Sequence, residues 1–430
     1  MERSLSNIFF NMCLTRRKSV KRVQIWSSFG KTTSEDSRDA SLTSGTGTST
    51  SSGNATSSSQ FSKASKYSSS SGGSSLTGVK EMVSDGVMVF KYKELSRATS
   101  NFNPSKKIGS SSFRATVRNR DVFIVLQKRG FVGNFLRKLK MLCSVHHASV
   151  VKLFGACFSE GEHLYLVYEY AEGINLRECL RNSRTPGFTV LDSWVKRLQV
   201  AMELAQGLEY LHDYTFGDFI HKYIKSSNII IDSELHAKIA KFGIPQLTGE
   251  IDWRASDEPI HEESEADGQQ GQERNLTRSH SIRLTGTPGY MSPEYLSSSL
   301  ITKKLDVFSF GVILLELLTG KDPATVKYNL TGGLYSNMSL PEMARALAAD
   351  NQWTRNLRLW IDSLLKDSYP LKSAYEVVLL AKACVEPDPN DRPEMKDVAV
   401  KLARLLVIFQ NWESSMAVAR NLQSKEMEAR

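Results

Sequence analysis

Two regions of different periodicity predict an α+β protein of two lobes, the first rich in strands and the second in helices. Three observations carry that expectation. Residues 121–127 (Asp-Val-Phe-Ile-Val-Leu-Gln) and the run Leu164 to Tyr170 are short, apolar and rich in β-branched and aromatic residues, as buried strands are. From Ser193 to His212, apolar residues recur at helical spacing (Trp194, Leu198, Ala201, Leu204, Ala205, Leu208, Leu211), giving a long amphipathic helix. Phe308 to Leu318 is almost wholly apolar, with the lone acid Glu316, which predicts a helix buried on most sides at the centre of the second lobe.

In chain order, the first element is a tail. Residues 1–31 carry seven Lys or Arg against the single acid Glu2, and Ser41 to Ser75 is mostly Ser, Thr and Gly. Such a segment cannot bury enough apolar surface to offset its ordering entropy, so residues 1–78 are expected to be disordered. The composition turns globular near Val79. The first lobe is expected at about 79–170 and the second at about 171–409, where helical periodicity ends, with a tail at 410–430. An acidic insertion at 250–273 holds nine acids and only Arg254, the pattern of a solvated segment. No run of about 18 apolar residues exists, so no membrane span is expected. The five cysteines are scattered without a C-x-x-C pair, which argues against a disulfide framework or zinc site. Ile8 to Leu14, Cys13 and the basic cluster could form a weak palmitoyl-plus-charge anchor, or simply a solvated basic tail.

Seven short motifs in one order give the chain a resemblance. Phe90-Lys91-Tyr92-Lys93-Glu94-Leu95 is followed by Leu166-Val167-Tyr168-Glu169-Tyr170, His221-Lys222-Tyr223-Ile224-Lys225-Ser226-Ser227-Asn228 and Lys241-Phe242-Gly243. Gly286-Thr287-Pro288-Gly289-Tyr290-Met291-Ser292-Pro293-Glu294, Asp306-Val307-Phe308-Ser309-Phe310-Gly311 and Asp391-Arg392-Pro393 complete the series. Across residues 90–409 the chain resembles the plant receptor-like kinase superfamily, of receptor-like cytoplasmic kinase type. That implies a two-lobed protein-kinase-like fold with a nucleotide cleft between the lobes.

The resemblance also shows what is missing. The family's catalytic loop, H-R-D-L/I-K-x-x-N, uses its aspartate to accept the substrate hydroxyl proton. Here that place is Tyr223, and a phenol with pKa of about 10 is a poor base near neutral pH. The metal-binding D-F-G becomes Lys241-Phe242-Gly243, and an ammonium repels the magnesium that the aspartate holds. The alternatives for Lys241 are direct contact with nucleotide phosphates, a local acid partner, or an empty cleft. The strand expected to read V-A-I-K is taken as Ile124-Val125-Leu126-Gln127, so Gln127 replaces the phosphate-pairing lysine. A bulge could bring in Lys128, and a shifted register would put Phe123 over the adenine. Counting back from Leu142 and from His147-Ala148-Ser149-Val150-Val151, the partner glutamate of the regulatory helix falls at Lys138. Of the glycine-rich lid only Gly109 remains, with Ser111 and Arg114 in the other glycine positions.

What survives is mostly architectural. By resemblance, Lys225 matches the lysine that steadies the transferring phosphoryl. Asn228 matches either a metal ligand or a brace of the loop. His221 and Phe242 match the apolar stack joining the lobes, Asp306 the brace of the catalytic loop, and Glu294 with Arg392 a buried ion pair. Ile108, Gly109, Val125, Tyr168 and Tyr170 are the candidate walls of the nucleotide pocket. The expectation is a cytoplasmic pseudokinase, possible at the plasma-membrane periphery, that acts as a scaffold or allosteric partner of an active receptor-like kinase or its substrate. Nucleic acid is not an expected partner. No cofactor is expected: magnesium is disfavoured, and ATP is left open. The alternatives are an atypical serine/threonine kinase with rearranged groups and a nucleotide-binding switch without turnover.

Overall fold

The computed structural model describes residues 87–428, apart from 129, 131, 159–161, 183, 185–190, 216, 218, 252–284, 324–325, 330–334 and 367–368, and apart from the side chains of 326–329, 335–337 and 420–428. The expectations for the basic and serine-rich region 1–78, Cys13 included, and for the acidic run from 252 onward therefore fall outside the described residues.

The first lobe is a six-stranded sheet in the order β1-β5-β6-β4-β3-β2. Its strands are β1 (Met88–Val89), β2 (Lys107–Gly109), β3 (Ser112–Val117), β4 (Arg120–Lys128), β5 (Leu153–Phe158) and β6 (His163–Glu169). Side chains alternate between the two faces of each strand, so β4 divides its residues by parity. Val122 and Ile124 face outward into a cluster with Phe90, Tyr165, Val167 and Leu95. Leu95 lies on helix α1 (Tyr92–Ala98), which covers this face and would otherwise leave it wet. Val125 faces the other way and is fully buried with Leu139 and Leu142 of α2 (Phe135–Cys143).

The second lobe begins with β7 (Ile174–Asn175) and α3 (Leu176–Arg181), then α4 (Trp194–Asp213). Ser193 caps α4 by accepting from the Lys196 N–H at 3.2 Å. The strands β8 (Ile229–Ile231) and β9 (Ala237–Ile239) pair beside β7 and frame the catalytic-loop motif. Helices α5 (Ile244–Thr248), α6 (Pro293–Ser298) and α7 (Lys303–Thr319) follow. Every residue of α7 from Leu305 to Thr319 is buried, as its unbroken apolar sequence requires. Gly311 lets α7 approach α10 (Leu371–Cys384): a Cβ there would lie 2.6 Å from Cys384 Cβ. Between them come α8 (Leu340–Ala348) and α9 (Trp353–Trp360), and the chain ends in α11 (Met395–Glu428).

One expectation needs correction. The helix that periodicity ended near Phe409 runs on to Glu428, so 410–428 is a helical extension. Burial stops near Phe409, while helix-forming residues without Gly or Pro continue, and only the first of these shows in an apolar pattern. Between Lys241 and the acidic run that begins at Glu250, the chain folds as α5. Gly243 (φ 84°) and Gly249 (φ 77°) mark the two ends of this one-turn helix in the left-handed region.

Candidate functional site

A cavity of about 300 Å³ opens between the lobes. Ile108, Gly109, Phe123 and Tyr170 contribute its first-lobe wall, and Asn228 and Lys241 its second-lobe wall. Two expected wall residues lie elsewhere. Val125 and Tyr168 are both fully buried behind the cavity, and the Tyr168 hydroxyl donates to the Phe242 carbonyl at 2.8 Å. Phe123 takes the roof instead, so the shifted register applies. Counting two residues on from that roof, the lysine position of V-A-I-K falls on Val125 rather than Gln127. Gln127 is half-buried opposite Leu164 and does not line the cavity. Lys128 pairs with Glu162 at 3.4 Å on the exposed end of β4, where no bulge turns it inward. Either way no cation of β4 reaches the cleft.

The lid is a tight hairpin with Lys107 opposite Phe113 and Gly109 opposite Ser112. Arg114, in the third glycine position, lies 4.0 Å from the centre of the Tyr170 ring. It also donates to the Tyr170 hydroxyl at 3.3 Å and to Asp121 at 3.2 Å. A side chain where the family has none thus ties the lid to the hinge. Lys138 sits half-buried on α2 with no ion pair among the described residues.

The catalytic-loop relic is held rigidly. Asp306 of α7 accepts from the N–H groups of His221 (2.7 Å) and Lys222 (2.8 Å) and contacts His212 Nε2 at 3.0 Å. His221 Nε2 lies 3.1 Å from the Ala240 carbonyl, and complete burial pushes its imidazole down to about 4, so it is neutral at physiological pH. Its ring stacks toward Phe242, 6.4 Å away, which also meets Phe219 edge-on at 5.4 Å. Asn228 Nδ2 donates to the Tyr223 carbonyl at 2.9 Å, bracing the loop. Arg392 makes a two-pronged contact with Glu294, 2.7 Å on each side.

Tyr223 occupies the place of the proton acceptor but is itself engaged as a donor. Its hydroxyl donates to Glu250 at 2.5 Å. Burial and that carboxylate raise the phenol further above its ordinary range, which weakens it as a base. Glu250 also takes an ion pair from Lys222 at 2.6 Å and a hydrogen bond from Thr285 at 2.9 Å. Burial opposes its charge, but the hydrogen bonds from Lys222 and Tyr223 outweigh burial and hold the carboxyl below its usual range. Glu250, Lys222 and Thr285 were not legible as a site. Glu250 opens the acidic run and looked like one more solvated acid. The signal that separates it is its place three residues after the buried run Ile244 to Leu247. Glu250→Ala leaves the nearly inaccessible Lys222 ammonium without its counter-ion. It is expected to cost about 2–3 kcal/mol in urea unfolding, with Glu250→Gln costing less.

The cleft chemistry is cationic. Lys241 is half-buried on the cavity wall, and burial together with the neighbouring Lys225 pushes it down to about 8. Lys225 is lowered too, by burial and by Arg177, and donates to Thr287 at 2.8 Å. A divalent cation does not fit this donor set. Asn228 Oδ1, buried without a partner among the described residues, is one oxygen ligand, but an ammonium stands where a carboxylate is needed. Among the described residues no cluster of three or more His, Cys, Asp or Glu could hold a metal.

Comparisons with known proteins identify the family of the fold. The protein kinase domain family matches residues 123–401. Protein LYK5 of Arabidopsis thaliana is 32% identical over 344 residues, covering 80% of this chain and 47% of that protein. Chitin elicitor receptor kinase 1 of Arabidopsis thaliana is 35% identical over 340 residues, covering 78% and 49%. Proline-rich receptor-like protein kinase PERK2 from the same organism is 34% identical over 318 residues, covering 72% and 40%. The chain thus spans about half the length of the curated relatives it matches, and no helix among its described residues is long and apolar enough to cross a membrane. The chain belongs to the protein kinase domain family and is similar within it to plant receptor-like kinases.

Proposed function

We propose that this chain is a pseudokinase, a kinase-shaped protein that transfers no phosphoryl group and works in receptor-kinase signalling by docking to other proteins. The observation that carries the proposal is Tyr223 in the proton-acceptor position, donating its only proton to Glu250 at 2.5 Å. Phosphoryl transfer depends on positioning and on electrostatic stabilisation by metal ions and a phosphate-pairing lysine. Here Lys241 stands in a metal position, Lys138 in the partner-glutamate position, and Val125 in the lysine position. Four parts of one reaction are absent together. The parts that hold the fold, Asp306 with His221 and Glu294 with Arg392, are engaged.

The partner is an active receptor-like kinase or its substrate, a reading supported by relatives that are named as receptor kinases. Contact with the cytoplasmic face of the plasma membrane through the basic N-terminal residues belongs to the same proposal. Incubating the full chain with labelled ATP, magnesium or manganese and a general protein substrate tests it. No incorporation above a buffer control is expected. Incorporation that disappears in Lys225→Met and Lys241→Met would instead make this an atypical kinase.

A further inference from the structure

We propose that the cleft of this protein binds a phosphate-bearing anion directly, with the Lys241 ammonium in the place of a divalent metal and Lys225 adding to the positive field around it. The starting point is an electrostatic imbalance. A buried charge is costly unless it is paired, and buried lysines normally have a carboxylate beside them or lose their proton. Lys241 is half-buried, yet no hydrogen bond or ion pair among the described residues takes up its ammonium. The charged group closest in effect is a second cation, Lys225. Arg177 adds a third positive charge near Lys225, itself paired with Asp322 at 3.3 Å.

Lys241 faces the cleft cavity rather than packed protein, while Lys225 lines the adjoining smaller pocket, where it donates to Thr287. Lys241 and Asn228 form the cavity's inner wall, and its volume of about 300 Å³ is at the lower end of small-molecule sites. Two acids, Glu169 and Glu178, also line it, but neither is paired with Lys241. The backbone presents Lys241 deliberately: it sits at φ 69°, a conformation costly for a residue with a Cβ, between β9 and Gly243. An anion with two or more phosphate oxygens would accept from the Lys241 ammonium within the positive field of Lys225, supplying the counter-charge that Lys241 lacks. Magnesium, which neutralises phosphates and is repelled by the same lysines, would compete with this mode rather than support it.

The inference goes beyond the proposed lack of catalysis, and the two fail separately. Absence of binding leaves a purely docking protein, whereas phosphoryl transfer would overturn the pseudokinase reading without touching the anion site. The test is calorimetric titration of the full chain with pyrophosphate and with ATP, each in EDTA and each in excess magnesium. Saturable binding of at least one probe in EDTA is expected, weakened tenfold or more by magnesium and tenfold or more by Lys241→Met. Circular dichroism and the melting curve establish that this variant is folded, and Lys241→Arg should retain binding. Binding of both probes identifies the phosphates alone as the determinant, and binding of ATP alone adds the nucleoside; either supports the proposal. No saturable binding in EDTA, binding that requires magnesium, or undiminished binding by Lys241→Met overturns it.

Discussion

Arg392→Ala is expected to lower the unfolding free energy by about 3–5 kcal/mol, the usual cost of removing one partner from a buried ion pair. The Arg392 side chain is completely inaccessible, and Glu294 nearly so. Glu294 keeps its charge because Arg392 and further hydrogen bonds outweigh the burial that would raise its carboxyl. The guanidinium does more than pair. It donates to the carbonyls of Glu386 (2.7 Å), Lys304 (2.9 Å) and Pro387 (3.0 Å), and lies 5.0 Å over the Phe308 ring. Its loss therefore strands one carboxylate and three carbonyl oxygens and leaves a void beside α7. Glu294→Ala strands only the guanidinium, which retains the three carbonyls, so its loss should be the smaller. The double variant should cost little more than Arg392→Ala alone, because the second truncation removes a group already unpaired. Urea unfolding of the three variants measures this. A change below about 0.5 kcal/mol for Arg392→Ala, the scale of an ordinary surface substitution, would mean the pair does not anchor α6 to the end of the domain.

The same pair shows which parts of the molecule were legible in the sequence. Glu294, Asp306, His221, Phe242 and Arg392 lie in short contiguous motifs that match the receptor-like kinase pattern, so the resemblance gave their positions without a structure. The strand and helix positions followed from periodicity: β4 and α4 begin and end within a residue or so of the expected bounds. What failed was register and long-range pairing. A strand shifted by two residues keeps the same faces, so alternation could not decide whether Gln127 or Val125 follows the roof residue. The fully buried Val125 and the cavity-lining Phe123 decide it. Glu250 was hidden for a different reason. Its partners Lys222 and Tyr223 lie 28 and 27 residues away, and one buried acid at the head of an acidic run has no compositional signature.

Lys241→Met is expected to stabilise the free protein at pH 7 by about 2–3 kcal/mol, and the gain should vanish in alkali. Burial and Lys225 push the ammonium from its ordinary 10.5 down to about 8, so the folded state holds this proton less tightly than the unfolded chain. Each pKa step corresponds to roughly 1.4 kcal/mol, and the stated gain allows for relaxation of a long side chain. Below pH about 8 both states are protonated and the native protein bears the whole penalty. Between about 8 and 10.5 the native state releases the proton while the unfolded chain keeps it, so the stability contributed by this residue rises with pH. Above that window both are neutral and the penalty is gone. Methionine keeps most of the apolar stem and removes the charge at every pH. The difference between wild type and variant in urea unfolding should therefore be large at pH 7, shrink through pH 8–10 and close near 10.5. Reading it as a difference cancels the other groups that titrate there. A variant less stable than wild type at pH 7, or a gap that stays constant with pH, would mean that Lys241 already has a counter-charge in the free protein. With ATP in EDTA the order should invert, because an anion repays the wild type for a buried charge that the variant no longer carries. A lysine that weakens the empty fold and strengthens the filled one is what a binding site, rather than a structural support, requires.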